Sequence, residues 1–543
     1  MTVEQARAWV GGLDLTERAA LIARDVVSEI RARLDFLAEV GLAYLALDRA
    51  APTLSGGEAQ RIRLAAQLGS NLQGVCYILD EPTIGLHARD NGILLRALRK
   101  LESRGNTLVV VEHDEDTIRA AQHLIDIGPG AGSRGGQVVA QGGIEDLIGC
   151  PDSITGRHLR RNGPRLVAAA RPMQGNTPVL GLRGAALHNL RDIDVDFPLG
   201  RLIVVTGVSG SGKSTLARDV LLSNMRRALS ETAAGGRRRR KAPDEHGGAP
   251  RWHGCREISG WTSIARVLEV DQTPIGKTPR SCTATYVGIW DAIRKRYAET
   301  TEAKVRGFTA SRFSFNTAGG RCPACEGQGL QTIEMSFLPD VKVVCDSCAG
   351  LRFEKATLEV LWRGKSIGDV LQMSIDEAAE FFATSSQIAH ALRLLQDVGL
   401  GYLTLGQSSP TLSGGEAQRI KLVTELAKAR APLSLVPLKS ASGGAADVTA
   451  AGTLYVLDEP TVGLSMADVQ MLLQALHRLV DAGHTVVIVE HNLDMIAQAD
   501  WIIDLGPDGG ERGGQVVGVG PPARVAAGNS PTGEALRRWM RGT

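Results

Sequence analysis

The stretch Gly207-Val-Ser-Gly-Ser-Gly-Lys213-Ser214 has the residue types and spacing to hold a triphosphate, G-x-x-x-x-G-K-[ST]. Gly207, Gly210 and Gly212 let the backbone wrap closely round phosphate with its N–H groups turned inward. Lys213 can reach the outer phosphates, the Ser214 hydroxyl can ligate Mg²⁺, and Ser209 and Thr215 complete the loop's polar lining. This chemistry needs a buried strand before the loop and a helix after it, whose N-terminus adds positive dipole. The apolar run Leu202-Ile-Val-Val-Thr206 supplies the strand, and residues 214–222 read as the helix. A chance lysine in a Gly/Ser turn would need neither flank. The loop therefore reads as a nucleoside-triphosphate site.

Composition bounds the rest. A chain of 543 residues allows three or four domain-sized units, and an apolar fraction of 43 % is ample for packed cores. A net charge of +2 announces no global field for nucleic acid, so any such surface must be local. The start, Met1 to Gln5, has no apolar h-region, and no apolar run approaches the ~20 residues that span a bilayer. The expectation is a soluble, cytoplasmic protein without a membrane partner. Four of the eight cysteines are clustered, whereas Cys76, Cys150, Cys255 and Cys282 are scattered. That favours a metal site over a disulfide framework.

The chain repeats itself. Leu54-Ser-Gly-Gly-Glu-Ala-Gln-Arg-Ile-Arg-Leu64 returns at Leu412 to Leu422, 358 residues later, with only Arg63 changed, to Lys421. Leu79-Asp-Glu-Pro-Thr-Ile-Gly-Leu86 returns at Leu457 to Leu464, Val111-Glu-His113 at Val489 to His491, and Asp126-Ile-Gly-Pro129 at Asp504 to Pro507, each 378 residues on. This is a duplicated domain, too long for a solenoid unit. The change in offset places about 20 extra residues around 431–452, an Ala/Gly/Ser-rich stretch that reads as a loop. In each copy Ser55-Gly56-Gly57 or Ser413-Gly414-Gly415 opens a helical pattern, where a hydroxyl and two glycine N–H groups form an anion site. Strands Cys76 to Leu79 and Tyr455 to Leu457 each end in Asp-Glu: Asp458 can hold Mg²⁺ and Glu459 can polarise water.

Between the phosphate loop and Asp458 lie about twice the residues a plain nucleotide-binding core needs. The excess contains Cys322-Pro-Ala-Cys325, 19 residues, then Cys345-Asp-Ser-Cys348. Two such knuckles suit tetrahedral Zn²⁺ with four thiolates, a structural site because no coordination position stays open. Residues 330–344 alternate enough to form a hairpin presenting both knuckles. Arg306 and Arg312 interleave with Phe308, Phe313 and Phe315, as on nucleic-acid surfaces, although aromatics at this spacing are more often core. Arg237-Arg-Arg-Arg-Lys241, among Gly and Pro, reads first as a solvated loop and second as a phosphate-backbone contact.

The ordered series of signature, Asp-Glu and Val-Glu-His resembles that of ATP-binding-cassette ATPases. No phosphate-loop pattern precedes residue 54, so the first copy reads as incomplete. Taken with Asp271 to Arg280, Arg306 to Asn316 and the four cysteines, the motifs resemble the UvrA family, damage-recognition ATPases of bacterial nucleotide excision repair. The resemblance runs from about residue 30 to 540. It implies that Gln272 is the Q-loop glutamine, Glu459 the catalytic glutamate and His491 the switch histidine. It also places Lys277 and Arg280 near a DNA-binding surface, and implies double-stranded DNA and a second copy of the chain as partners. The family's first phosphate loop, UvrB-binding domain, insertion domain and second zinc module have no counterpart here, which puts UvrB loading in doubt. The chain could be a C-terminal portion, a truncated paralogue or half of a split protein. Ser465 stands where the first copy has His87.

These readings combine into an α/β fold of duplicated cassette domains, the first incomplete, with a zinc-binding insertion in the second. The boundaries expected are 1–155 for the first half, 156–177 for a linker, 178–290 and 401–543 for the second core, and 291–400 for the zinc-bearing insertion. The expected activity is ATP hydrolysis that resets DNA affinity, with ATP, Mg²⁺ and Zn²⁺ as ligands and no nuclease site. The rivals are a non-hydrolysing remnant that binds DNA or dimerises, and a transporter- or antibiotic-resistance-type ATPase, against which the zinc module argues. In cassette ATPases ATP sits between the phosphate loop of one copy and the signature of the other. The one complete site should then pair Lys213, Ser214, Asp458, Glu459 and His491 with Ser55, Gly56 and Gly57. The first copy, lacking its phosphate-loop strand, should expose an apolar edge and face.

Overall fold

The computed structural model describes the chain apart from residues 52–53, 55, 69–72, 131, 133–134, 161–169, 239–250, 277, 334, 336–340, 430–451 and 543. Ser55, Lys277 and most of the loop expected at 431–452 thus lie outside the described residues, as does the end of the Arg237 to Lys241 run. No described helix is long and apolar enough to cross a membrane.

Among the described residues the first half contributes four strands: β1 (Cys76–Asp80), β2 (Thr107–Val111), β3 (Leu124–Gly128) and β4 (Gln137–Gly142). They form two separate pairs. β1 runs parallel to β2, with Asp80 opposite Val111, and β3 runs antiparallel to β4. The second half opens with β5 (Val179–Ala185), β6 (Ile193–Pro198), β7 (Leu202–Gly207), β8 (Glu257–Ser259) and β9 (Ile264–Val270). The cysteine module carries β10 (Leu330–Ile333), β11 (Val341–Val344), β12 (Leu361–Trp362) and β13 (Lys365–Ser366), and the chain returns through β14 (Gly452–Asp458), β15 (Thr485–Val489), β16 (Trp501–Gly506) and β17 (Gln515–Gly520). Six of these make one sheet in the order β17-β16-β7-β15-β14-β9, while β6-β5-β8 form an antiparallel sheet beside it.

β7 explains the difference between the halves. Its six residues are all buried, and it pairs in parallel with β15 on one side and β16 on the other. A strand covered on both faces and both edges must be continuously apolar, as Leu202 to Val205 are. In the first half β2 and β3 occupy the places of β15 and β16, but among the described residues no strand lies between them. The expected apolar face follows: Ile78, Val109, Val111, Ile125, Ile127 and Val138 are exposed.

The cysteine module is built on aromatic packing. Trp290, Tyr297, Phe313, Phe315, Phe353 and Phe382 are buried in one core, continuous with Ile420 and Val423 of the second signature helix, Gly414–Ala429. Phe313 and Phe315 therefore belong to the interior, the alternative that residue type favoured over a base-stacking surface. β10 and β11 form the expected antiparallel hairpin, with Leu330 opposite Val344. Residues 156–159, expected in the linker, instead finish the helix Ile154–Leu159, whose N-cap Ser153 accepts a hydrogen bond from Gly156 N–H and whose Leu159 is buried.

Candidate active site

The loop starts at Gly207, the last residue of β7, and runs to Ser214; a π-helical run, Thr215–Leu222, continues from it into the α-helix Ser223–Arg238. The helix expected straight after the loop therefore begins in π rather than α form. Gly210 has φ +75°, and a Cβ there would stand 2.5 Å from the Tyr44 ring of the first half, so close packing and left-handed backbone both require glycine. Gly212, at φ +103°, is held to glycine in the same way: a Cβ there would lie 2.9 Å from the side chains of Asn189 and Leu190. Those two residues are not phosphate, so the back of Gly212 packs on its own half while Gly210 packs on the other. Lys213 is buried, and its ammonium donates to the carbonyls of Gly207 (3.1 Å) and Val208 (2.9 Å). Burial pushes its pKa down to about 8, against the pull of Glu459, Asp90, Asp458 and Asp504. Ser214 is exposed and Thr215 half-buried.

Asp458 ends β14 and accepts from Arg218 (3.3 Å), one turn beyond the phosphate loop; burial raises its pKa. Glu459 follows at φ +42°, a strained position for a residue with a Cβ, and its counterpart Glu81 has φ +44°. Burial, with Asp458 and Glu490 as like charges, pushes Glu459 up to about 7, while Lys213 and Arg61 oppose the shift. His491 Nε2 stands 4.0 Å from the Glu459 carboxylate, and burial with Lys213, His87 and Arg61 nearby holds this imidazole well below its ordinary pKa. Glu490 fixes the switch turn by accepting from the backbone N–H groups of Thr461, His491 and Asn492. The Gln272 amide donates to the Glu459 carbonyl (3.1 Å).

Buried Ser209 Oγ, Ser211 Oγ, Asp458 Oδ1 and His491 Nδ1 have no hydrogen-bond partner among the described residues. Each unpaired buried group costs ~1–3 kcal/mol. The set matches a triphosphate and its cation: hydroxyl donors for phosphate oxygens, a carboxylate oxygen for Mg²⁺ and an imidazole for the transferred group.

The first half supplies the opposite wall. The helix Gly56–Leu68 begins with the signature glycines. Its Glu58 accepts from the Tyr44 hydroxyl (2.7 Å), and Tyr44 also lines Gly509 and Gly510, where a Cβ would lie 3.1 Å from the tyrosine. Arg61 is buried and donates to the Gly57 carbonyl (3.2 Å). Asp90 accepts from the Ser209 N–H (3.5 Å), and Arg89 pairs with Asp508 (3.0 Å). Tyr44, Arg61, Asp90 and His87 were not among the sequence candidates. One signal could have found the first: Tyr44 and Glu58 recur as Tyr402 and Glu416 at the repeat offset.

The four module cysteines are buried and their sulfurs lie within 4.8 Å of one another. Cys322 and Cys345 are 3.9 Å apart, Cys325 and Cys348 3.7 Å. These separations are too long for disulfides and fit a tetrahedron with Zn–S of about 2.3 Å, whose edge is about 3.8 Å. Gly329 N–H donates to Cys325 Sγ (3.2 Å), and the buried Arg352 guanidinium lies in the field of Cys325 and Cys348. Four thiolates round Zn²⁺ carry a net charge of about −2, which a buried guanidinium offsets.

Known proteins match this arrangement. Over 540 residues the chain is 52 % identical to UvrABC system protein A of Thermus thermophilus, covering 99 % of this chain and 53 % of that protein. It is 50 % identical over 542 residues to UvrABC system protein A of Methanothermobacter thermautotrophicus, covering 99 % and 52 %. The crystal structure of UvrA2 from Deinococcus radiodurans superposes with a TM-score of 0.82 at 43 % identity, covering 100 % of this chain and 63 % of that one. No family model matches the chain. Over nearly its whole length the chain is similar to UvrA proteins. It spans about half the length of the curated relatives it matches.

The second signature of this chain is built like the first but faces a different surface. Ser413 caps its helix by accepting from Glu416 N–H (3.2 Å), and Tyr402 donates to Glu416 (2.5 Å). Tyr402 lies against Gly132 as Tyr44 lies against Gly510. Glu81 and His113 face each other at 3.6 Å, but the His113 side chain is 43 % exposed and that of His491 only 8 %. Gly414 instead packs on Gln272 of its own half, where a Cβ would stand 3.3 Å from the amide oxygen. The arginines expected near DNA are each engaged with carboxylates: Arg280 with Glu326 (2.8 Å), Arg306 with Glu302 (2.6 Å) and Glu359 (2.8 Å), and Arg312 with Glu354. Arg312 also lies over the Phe308 ring.

Proposed function

We propose that this chain is a UvrA-type ATPase that hydrolyses ATP at one composite site and uses the cycle to set its affinity for double-stranded DNA in damage recognition. The observation that supports this most is the first half's signature side, Tyr44 and Asp90, seated on the second half's phosphate loop at Gly210 and Ser209. Lys213 neutralises charge that develops on the transferred phosphoryl group. Gly207, Gly210 and Gly212 turn the loop's N–H groups toward the phosphates. Glu459, whose pKa of about 7 suits proton transfer near neutrality, orients the attacking water and accepts its proton. His491, neutral, holds the γ-phosphate side of the site, Gln272 ties the loop after β9 to the Glu459 backbone, and Gly56 with Gly57, beside Ser55, closes over the phosphates. Ser214 and Asp458 would hold Mg²⁺, which supplies further positive charge to the phosphates. Cys322, Cys325, Cys345 and Cys348 would hold one structural Zn²⁺.

Lys277, Arg280, Arg306 and Arg312 remain the DNA-facing candidates, the last three through exchange of their carboxylate partners for phosphate. A second copy of the chain is the expected protein partner, and the cytoplasm the expected location. The test is steady-state ATP turnover by the purified chain, with and without damaged duplex. Turnover that responds to the duplex supports the reading. No turnover above background, with DNA binding intact, would instead identify a non-hydrolysing binding protein, and loss of both would overturn the proposal.

A further inference from the structure

We propose that His87 of the first half is a positioning residue for the ATP site of the second half, pinning the C-terminal helix Pro531–Arg541 and abutting the switch residue His491. This rests on the reading of that site as hydrolytic. His87 caps the helix Ala88–Glu102: its Nδ1 accepts from the backbone N–H of Arg89 (3.2 Å). That bond assigns the ring proton to Nε2, which donates to Thr532 Oγ1 at 3.1 Å, and the Thr532 hydroxyl donates to Asp504 Oδ1 at 2.7 Å. Asp504 lies on β16, opposite Thr206 at the end of the phosphate-loop strand. One buried chain of hydrogen bonds therefore runs from the first half, through the C-terminal helix, to the strand beside the phosphate loop. The His87 ring also stands edge-on to His491, with centroids 6.1 Å apart and planes at 79°.

The groups facing His87 are Asp90 and Arg89 on its own helix, Lys213 from the phosphate loop, Thr532 from the C-terminal helix and His491 from the switch turn. Burial holds its pKa down to about 4 although Asp90 pulls it up. The ring is thus neutral near pH 7. Protonation would remove the Nδ1 acceptor, break the cap and add a cation beside Lys213. The equivalent residue of the other half, Ser465, turns its hydroxyl back to Asp468 on its own helix (2.8 Å). That helix reaches the first half through Met466, packed on the small cluster of Ile118, Leu147 and Leu159. Histidine stands where the neighbouring switch histidine is buried, and serine where it is solvated.

The experiment is a kinetic cycle on the full chain with His87→Ser, Thr532→Val, their double variant and Thr532→Ser. Loss of the pin should lower kcat about ten-fold, with KM for ATP changed less than about two-fold. The double variant should be no worse than either single, and Thr532→Ser should restore turnover. Additive losses, unchanged kcat or an equal loss in Thr532→Ser would overturn the proposal. Nitrogen-15 NMR of the 11 histidines in the unaltered chain needs no variant and no turnover. It should show His87 as the Nε2–H tautomer, uncharged to below pH 5; an Nδ1–H tautomer or titration near 6.5 would sink the pin. If the unaltered chain fails to hydrolyse ATP, the ATPase reading falls while the NMR result still decides the hydrogen-bond chain.

Discussion

Val456 and Ile78 occupy the same position of the same strand in the two halves, yet Val456 is 1 % exposed and Ile78 75 %. Leu505 and Ile127 repeat the contrast at 1 % and 68 %. Nothing in the residues themselves accounts for this, since all four are aliphatic. The difference lies in the neighbours: β14 is flanked by β15 and β9, and β16 by β7 and β17, whereas among the described residues β1 pairs only with β2 and β3 only with β4. The same holds for the helices. Ile388 is buried in the cysteine module, while its counterpart Ile30 is 43 % exposed on the helix Glu17–Glu39. Leaving such a side chain in water forfeits ~1.5–3 kcal/mol of burial. A motif in one half and the identical motif in the other therefore differ in what they can do, because chemistry depends on what stands across from them.

The largest expected effect tests that claim at the two Asp-Glu turns. Glu459→Gln should lower ATP turnover about 10²–10⁴-fold and trap bound nucleotide, whereas Glu81→Gln should change it less than about two-fold. The paired signature change sharpens the comparison: Ser55→Arg should abolish hydrolysis by blocking closure, and Ser413→Arg should leave most of it. Equal losses from the two serine variants, read as steady-state turnover, would defeat the one-site model and imply sites assembled between chains.

Next in size is stability. Val456→Lys puts an unpaired charge into a sealed sheet and should cost ~4 kcal/mol or more in urea unfolding. Ile78→Lys should cost within about 0.5 kcal/mol and reduce self-association seen by light scattering. The unaltered chain should aggregate or take up a hydrophobic dye through its open sheet. A monodisperse monomer with a single sharp melt would contradict that expectation.

The cysteine module offers a contrast of similar or smaller size. Protein purified without added metal should carry about one Zn²⁺ per chain, and strong chelation should destabilise the module before the first half. Less than about 0.3 equivalents by elemental analysis, with four freely titratable thiols, would count against the site.

The smallest effect is one of pH. His87 has a folded pKa of about 4 against ~6.5 when unfolded, so the unfolded chain binds more protons between those values. Stability should fall as pH drops through that window, by about 1 kcal/mol at pH 5.5 from this residue, and His87→Ser should remove that share. The check is urea unfolding of both proteins at pH 7 and 5.5. Ser465→Ala, at the matching place, should leave the pH dependence unchanged.

Much of the site could be read before any fold was known. The glycine-rich loop, both Asp-Glu turns, both Val-Glu-His stretches and the cysteine knuckles are local patterns in which neighbours in the chain are neighbours in space. The hairpin between the knuckles and the strand before the loop follow from the same short-range logic. The linker end at 156–159 was missed because a six-residue helix has too few turns to show a period; its Ser153 cap and buried Leu159 carry it. The aromatic stretch Phe308 to Phe315 was ambiguous because base stacking and core packing ask for the same residues.

The amino-acid order by itself determined the fold class, the duplication, the titratable groups of the repeated motifs and the four clustered thiols. Each depends on residues within a few positions of one another, or on a repeat that compares the chain with itself. Only the tertiary structure decided that Tyr44 and Asp90 cap the phosphate loop, that Arg61 lies in the field of Glu459, and that His87 reaches Thr532 across 445 residues. Such contacts join segments whose separation in the chain carries no period and no motif. They form because the two halves, each organised by its own core, meet through helix ends and loops whose side chains are buried only when the halves are packed together.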